Sequence, residues 1–199
     1  MTESKIHFFA KEPLVALLGN PNCGKTALFN LLTGSRQKVA NYSGVTVERK
    51  EGNLTLASDK VIRILDLPGA YSLYPRSLDE RVTCDVLHGR AAGEKKPDLV
   101  LCVLNAMNLR ANLRLVLAAK RLGLPCVVVL NMVDIAKRQG LQIDIEALAK
   151  ELGMPVIPTV GIQSRGADDL KAYLSQLDWR NLATLSNTSI DQGLSLIHI

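Results

Sequence analysis

The stretch GNPNCGKT, residues 19–26, constrains this chain more than any other. It fits G-x-x-x-x-G-K-T, follows the apolar run LVALLG (14–19) and opens the helix-like stretch LFNLLTG (28–34). Glycines at this spacing let backbone N–H groups turn inward around phosphate oxygens, and the start of a helix adds partial positive charge. Lys25 is placed to bridge the β- and γ-phosphates of a nucleotide, and the Thr26 hydroxyl to ligate Mg²⁺. Gly19, Asn20, Pro21, Asn22, Cys23 and Gly24 complete the expected phosphate-binding set.

The rest of the chain supplies a sheet for that loop to sit on. VIRILDL (61–67), DLVLCVLN (98–105), LPCVVVLNMV (124–133) and MPVIP (154–158) read as further strands. Leu109, Leu113, Val116 and Leu117 recur at helical spacing, as do Ile145, Leu148, Ala149 and Leu152, and Leu170, Tyr173, Leu174 and Leu177. Continuous apolar strands separated by helices predict an α/β fold: a mostly parallel, six-stranded sheet with helices on both faces. Ligands of such sheets bind beyond the carboxyl ends of the strands, where the motifs fall. Residues 35–51 and 70–77 carry little periodicity and are expected to be mobile loops.

At 199 residues the chain is long enough for one well-buried domain. A net charge of +5 is mild, and fits a solvated exterior as well as an anionic partner. Cys23, Cys84, Cys102 and Cys126 form no C-x-x-C pair, which fits reduced thiols rather than a disulfide framework. MTESKIHFFAKEP has no apolar core of the kind a signal peptide needs. No apolar run approaches the ~20 residues that span a bilayer, so this piece is expected to be soluble.

The base is selected by NMVD, residues 131–134, at the end of a strand. The Asp134 carboxylate can accept from guanine N1–H and from the 2-amino group, a bidentate charged arrangement. Adenine presents an acceptor there and would be repelled. Asn131 is expected to tie this loop to the phosphate loop, and the Met132 thioether to pack on the base. Backbone N–H groups of Val160, Gly161 and Ile162, in VGIQSRG (160–166), are the expected contacts to guanine O6.

DLPG, residues 66–69, supplies Asp66 to reach Mg²⁺ through water and Gly69 to present its N–H to a γ-phosphate, with Leu67 and Pro68 shaping the turn. Thr46, reached through Gly44 and Val45 in GVTVERKEG (44–52), is placed to close over the metal. Ras-like switches carry a water-orienting glutamine after the Asp-x-x-Gly glycine. Here that residue is Ala70, which has nothing to orient water with. The expected reaction is GTP·Mg²⁺ hydrolysis to GDP and phosphate, with Lys25, Thr46 and Gly69 in the catalytic set and no water-positioning side chain identified.

Taken together, residues 19–52, DLPGAYSL (66–73), SLDE (77–80) and NMVD resemble the N-terminal GTPase domain of the bacterial ferrous iron transport protein B family. The resemblance covers residues 12–178 and implies a Ras-like P-loop GTPase domain. In that family a small helical domain and a polytopic membrane region carrying Fe²⁺ follow. Residues 1–11 then read as an N-terminal extension and residues 179–193 as the start of the helical domain. LSLIHI (194–199) matches the translation of a common sequencing-adapter end and reads as a non-native tail. Tyr42 stands where the family often has Trp, and Cys23 where Ser is common.

The resemblance also bears on Ala70. It places the chain among GTPases with a hydrophobic or small residue at that position, several of which use K⁺ ligated by a phosphate-loop asparagine. Asn22 occupies that position here. It further implies slow turnover, a place on the cytoplasmic side of the bacterial inner membrane and regulation of Fe²⁺ uptake. The implied partners are GTP and GDP, the membrane region of the same full-length chain and small accessory transport proteins, with no nucleic acid. The alternative reading is a ribosome-assembly or tRNA-modification GTPase, which shares the phosphate loop but usually carries N-K-x-D and an RNA-binding module. A nucleotide-binding module without turnover is the third.

Overall fold

The structure, a computed structural model, describes residues 12–34 and 37–185. The readings of residues 1–11 and 186–199, the non-native tail included, lie outside the described residues.

Three strands, β1 (Leu14–Gly19), β5 (Leu99–Asn105) and β6 (Cys126–Asn131), form the middle of the sheet. β1 and β6 are buried at every residue, which is why their sequences are apolar without alternation. The complete order is β2-β3-β4-β1-β5-β6-β7, where β2 is Gln37–Asn41, β3 Glu48–Thr55, β4 Val61–Asp66 and β7 Val156–Pro158. β1 pairs in parallel with β4 and β5, β5 with β6, and β6 with β7; β2–β3 and β3–β4 are antiparallel.

Among the described residues the sheet therefore has seven strands, one more than the six expected, and neither β2 nor β3 is among the five apolar runs. The segment 35–51, expected to be a mobile loop, contains β2 and the start of β3. β2 lies at the sheet edge, four of its five residues are exposed, and its sequence QKVAN has no buried face to create an apolar period. Polar edge strands are held by backbone ladders, which composition does not report.

Among the described residues six α-helices cover the sheet: α1 (Lys25–Thr33), α2 (Leu78–His88), α3 (Leu109–Arg121), α4 (Val133–Arg138), α5 (Ile145–Leu152) and α6 (Asp168–Gln176). Strand β1 shows how the two layers are shared. Leu14, Ala16 and Leu18 pack with Val86 and Val116 of α2 and α3, while Val15 and Leu17 pack with Leu28, Phe29 and Leu170 of α1 and α6. Truncating a side chain as enclosed as Leu17 should cost about 2–5 kcal/mol.

The strand predicted over 124–133 stops at Asn131, because Met132 adopts a left-handed backbone (φ 63°) and starts α4. Trp179 folds back on this body: its indole N–H donates to Leu174 O at 3.2 Å and Lys60 Nζ lies 5.5 Å from its ring centroid. No helix of the described residues is long and apolar enough to cross a membrane.

Candidate nucleotide site

The phosphate loop leaves β1 at Gly19 and turns into α1 through two left-handed residues, Asn22 (φ 64°) and Gly24 (φ 83°). Gly24 has no room for a side chain: a Cβ there would lie 2.3 Å from Asn131 Nδ2. Helices α2 and α5 are capped by Ser77 and Asp144 side chains, whereas α1 has no side-chain cap and no acidic residue in its first turn. Its N-terminal amides, aligned with the helix dipole, suit a phosphate. A cavity of about 390 Å³ opens on this loop, with Asn20, Asn22, Lys25, Thr26 and Gly69 in its lining. Asn22 is exposed at its rim, and Cys23 is buried, which pushes its thiol pKa up.

Lys25 is nine-tenths buried, and its Nζ forms an ion pair with Asp66 Oδ1. The other carboxylate oxygen of Asp66 lies 3.5 Å from the Thr26 hydroxyl. An ammonium, a carboxylate and a hydroxyl are thus brought together from α1 and β4, as their motifs require. A second cavity, about 370 Å³, adjoins this pair and is lined by Thr46, Lys50, Asp66, Gly69 and Asp79 among others. Thr46 and Asp66, expected to share a metal, line this same cavity.

The loop after β4 is not loose. It has no helix or strand between Ala70 and Ser77, as expected, but its backbone is tied at many points. Leu67 N–H donates to Leu17 O at 3.2 Å and Ala70 N–H to Gly19 O at 3.1 Å. A Cβ on Gly69 would lie 3.1 Å from Pro21 Cγ, a contact tight enough that Pro21 would have to give by a few tenths of an ångström. From α2, Glu80 accepts from Tyr71 N–H at 3.1 Å and Arg76 N–H at 2.9 Å, the Thr83 hydroxyl donates to Pro68 O at 2.9 Å, and Cys84 Sγ to Leu73 O at 3.1 Å. Those amide bonds, Arg76 first, hold the Glu80 carboxyl below its usual range.

Asn131 joins three loops. Its Nδ2 donates to Cys23 O at 3.1 Å, and its Oδ1 accepts from Gly161 N–H at 2.9 Å and from the Thr159 hydroxyl at 3.3 Å. It is 2% exposed, so these bonds are made away from water, where losing a partner costs most. Asp134 lies in the first turn of α4, half-buried, and Arg138 one turn on holds it through Oδ2 and, at 3.3 Å, the backbone carbonyl. The Gly161 N–H is committed to Asn131, which leaves the exposed Ile162 as the residue of that loop best placed to offer an amide.

Sequence reading missed Thr159, Glu80, Thr83 and Lys50. The pattern Ser77-x-x-Glu80 is a helix-start signature that would have found α2, and Ser77 Oγ does accept from Glu80 N–H at 3.2 Å. Nothing in the sequence singles out Thr159 or Lys50, whose places depend on cross-strand register.

A family model described as ferrous iron transport protein B matches residues 14–174. The Fe(2+) transporter FeoB of Escherichia coli K12 is 49% identical over 171 residues, covering 83% of this chain and 21% of that protein. FeoB of Salmonella typhimurium LT2 is 48% identical over the same length. Among solved structures, the cytosolic domain of L. pneumophila FeoB superposes with a TM-score of 0.74 at 42% identity, covering 81% of this chain and 62% of that one. The T. maritima FeoB cytosolic domain in its GMPPNP form gives 0.74 at 37% identity, covering 83% and 65%. The chain spans about a fifth of the curated relatives it matches. The fold is that of Ras-like GTPases, and the chain belongs to the ferrous iron transport protein B (FeoB) family.

Proposed function

We propose that residues 12–178 form a domain that binds GTP and hydrolyses it slowly to GDP and phosphate. The observation that carries the reading is Asn131, which bonds the phosphate loop and the 159–161 loop at once and sets Asp134 three residues on. Lys25 and the amides of the phosphate loop would hold the β- and γ-phosphates, and Gly69 N–H would meet the γ-phosphate. Asp134 would read guanine, with Val160, Gly161 and Ile162 walling the base.

The Thr26 and Thr46 hydroxyls and the Asp66 carboxylate offer the hard oxygen donors that Mg²⁺ takes, and Thr26 and Asp66 already lie 3.5 Å apart. The ion would neutralise charge on the β- and γ-oxygens. A side-chain amide oxygen such as that of Asn22 suits K⁺, and Asn22 stands at the rim of the phosphate cavity. Phosphoryl transfer asks for positioning and charge neutralisation more than covalent chemistry, which this set can supply.

In the full-length protein we infer a regulator of Fe²⁺ uptake on the cytoplasmic side of the inner membrane. It would act with the membrane region of the same chain and with small accessory proteins. Solved relatives are described in GMPPNP and GDP forms. The test is guanine selectivity. GDP should bind and ADP should not, and Asp134→Asn should weaken GDP by a few kcal/mol, because an amide replaces one of two acceptors. Undiminished GDP binding by Asp134→Asn would overturn the base assignment.

A further inference from the structure

Lys50 stands in the switch-side cavity with no part in the reading above. It lies on β3, and its register partner on β4 is Asp66. Directly opposed residues point to the same face with Cβ atoms about 5 Å apart. Lys50 accordingly lines the cavity of about 370 Å³ together with Lys25, Thr46, Asp66 and Gly69. Its Nζ lies 2.8 Å from Glu48 Oε1, two residues back on the same strand face. Four charges therefore alternate through this part of the site: Glu48, Lys50, Asp66 and Lys25.

We propose that Lys50 binds the γ-phosphate of GTP, its ammonium leaving Glu48 for a terminal phosphate oxygen. The inference rests on the guanine-nucleotide reading and names a triphosphate sensor within it. The Glu48–Lys50 pair is cheap to give up, since both side chains are partly exposed, 52% and 35%, and such pairs contribute little. A terminal phosphate carries more charge than a single carboxylate and binds an ammonium more strongly. The four-carbon stem lets Nζ swing while the strand holds its root.

The position also fits what the site lacks. The Ala70 side chain offers no polar group, and among the described residues no arginine lines either cavity. A lysine delivered by a strand would supply in the same chain the cation that an arginine finger supplies elsewhere. Because Lys50 sits four residues beyond Thr46 on the same segment, the cation and the metal-facing hydroxyl would engage the triphosphate together. GDP, with no γ-phosphate, would leave Lys50 on Glu48.

The experiment compares GMPPNP and GDP binding, by fluorescence or calorimetric titration, in the parent, Lys50→Met and Glu48→Gln. Lys50→Met should weaken GMPPNP about tenfold, or about 1.4 kcal/mol, and leave GDP within about twofold. Glu48→Gln, which frees the ammonium, should tighten GMPPNP and spare GDP. Equal losses for the two nucleotides in Lys50→Met would mean a structural role and overturn the proposal, as would no loss at all. A parent that binds neither nucleotide overturns the guanine-nucleotide reading and this inference with it. Normal parent binding with an unchanged GMPPNP-to-GDP ratio in Lys50→Met overturns this inference alone.

Discussion

The backbone N–H of Ala70 donates to the carbonyl of Gly19 at 3.1 Å, and the Ala70 methyl is fully buried. The residue that follows the Asp-x-x-Gly glycine is thus built into the junction between β1 and the loop after β4. Its side chain points into the protein, where no water is to be oriented. A small residue here is a packing requirement as well as the absence of a catalytic amide.

Ala70→Gln should therefore not raise the rate of GTP hydrolysis. Adding four heavy atoms to a filled site typically costs 1–3 kcal/mol, about 2–12 °C in melting temperature for a domain of this size. Turnover and thermal melting of the variant check this together. A faster enzyme with an unchanged melting temperature would show that the loop can turn residue 70 outward.

Glu80 should act as the clasp of the same loop. Its carboxylate accepts from Tyr71 and Arg76 amides, and charge-assisted bonds of this kind are about twice as strong as neutral ones. Glu80→Gln keeps the shape but lowers the charge, so the Tyr71 and Arg76 amides should exchange with deuterium faster while those of β5 and β6 do not change. Equal protection in the parent and the variant would mean that Thr83 and Cys84 suffice to hold the loop.

Acid should loosen the β3–β4 ribbon through Glu51. Its carboxylate accepts from Arg63 Nε at 2.7 Å and Nη2 at 3.0 Å and from Arg49, whose Nε donates to Glu94 at 2.6 Å. The Arg63 bonds, with help from Arg49, lower the Glu51 pKa from 4.5 to about 2. A depressed carboxyl stabilises the fold above its unfolded value, and that stability disappears as pH falls from about 4.5 to about 2. Glu51→Gln should melt lower at neutral pH and show a shallower fall in melting temperature across that window. Parallel melting curves for parent and variant would remove Glu51 from the acid response.

The parts of the site that were legible in the sequence are those whose chemistry is carried by a fixed local spacing. Lys25, Thr26, Asp66, Asn131 and Asp134 each sit at a strand end or helix start, and a short motif is enough to place them. Lys50 and Thr159 were not legible because their roles come from register: Lys50 opposes Asp66 across two strands, and Thr159 meets Asn131 from just past the end of β7. β2 was missed for lack of a buried face, and α2 because a charged, loop-holding first turn hid its apolar residues Val82, Val86 and Leu87. The central strands were easy for the opposite reason, since burial on both faces writes an apolar run directly into the sequence.

Potassium should replace what Ala70 cannot provide. If Asn22 holds K⁺ beside the β–γ bridge, single-turnover hydrolysis should be faster in K⁺ than in Na⁺ at equal ionic strength, because the smaller Na⁺ would sit too far from the bridging oxygen for the same ligands. Removing the Asn22 amide should abolish the difference and leave GDP binding largely intact, since Lys25 and the loop backbone still hold the phosphates. Asn22 has a left-handed backbone, φ 64°, which alanine adopts only at a cost of roughly 1–2 kcal/mol. Asn22→Gly removes the amide without that strain and should be run beside Asn22→Ala. Loss of the K⁺ preference in both variants assigns the effect to the side chain, whereas loss in Asn22→Ala alone would assign it to backbone distortion. Equal parent rates in the two salts would end the potassium hypothesis and leave the charge at the β–γ bridge to Lys25 and its neighbours.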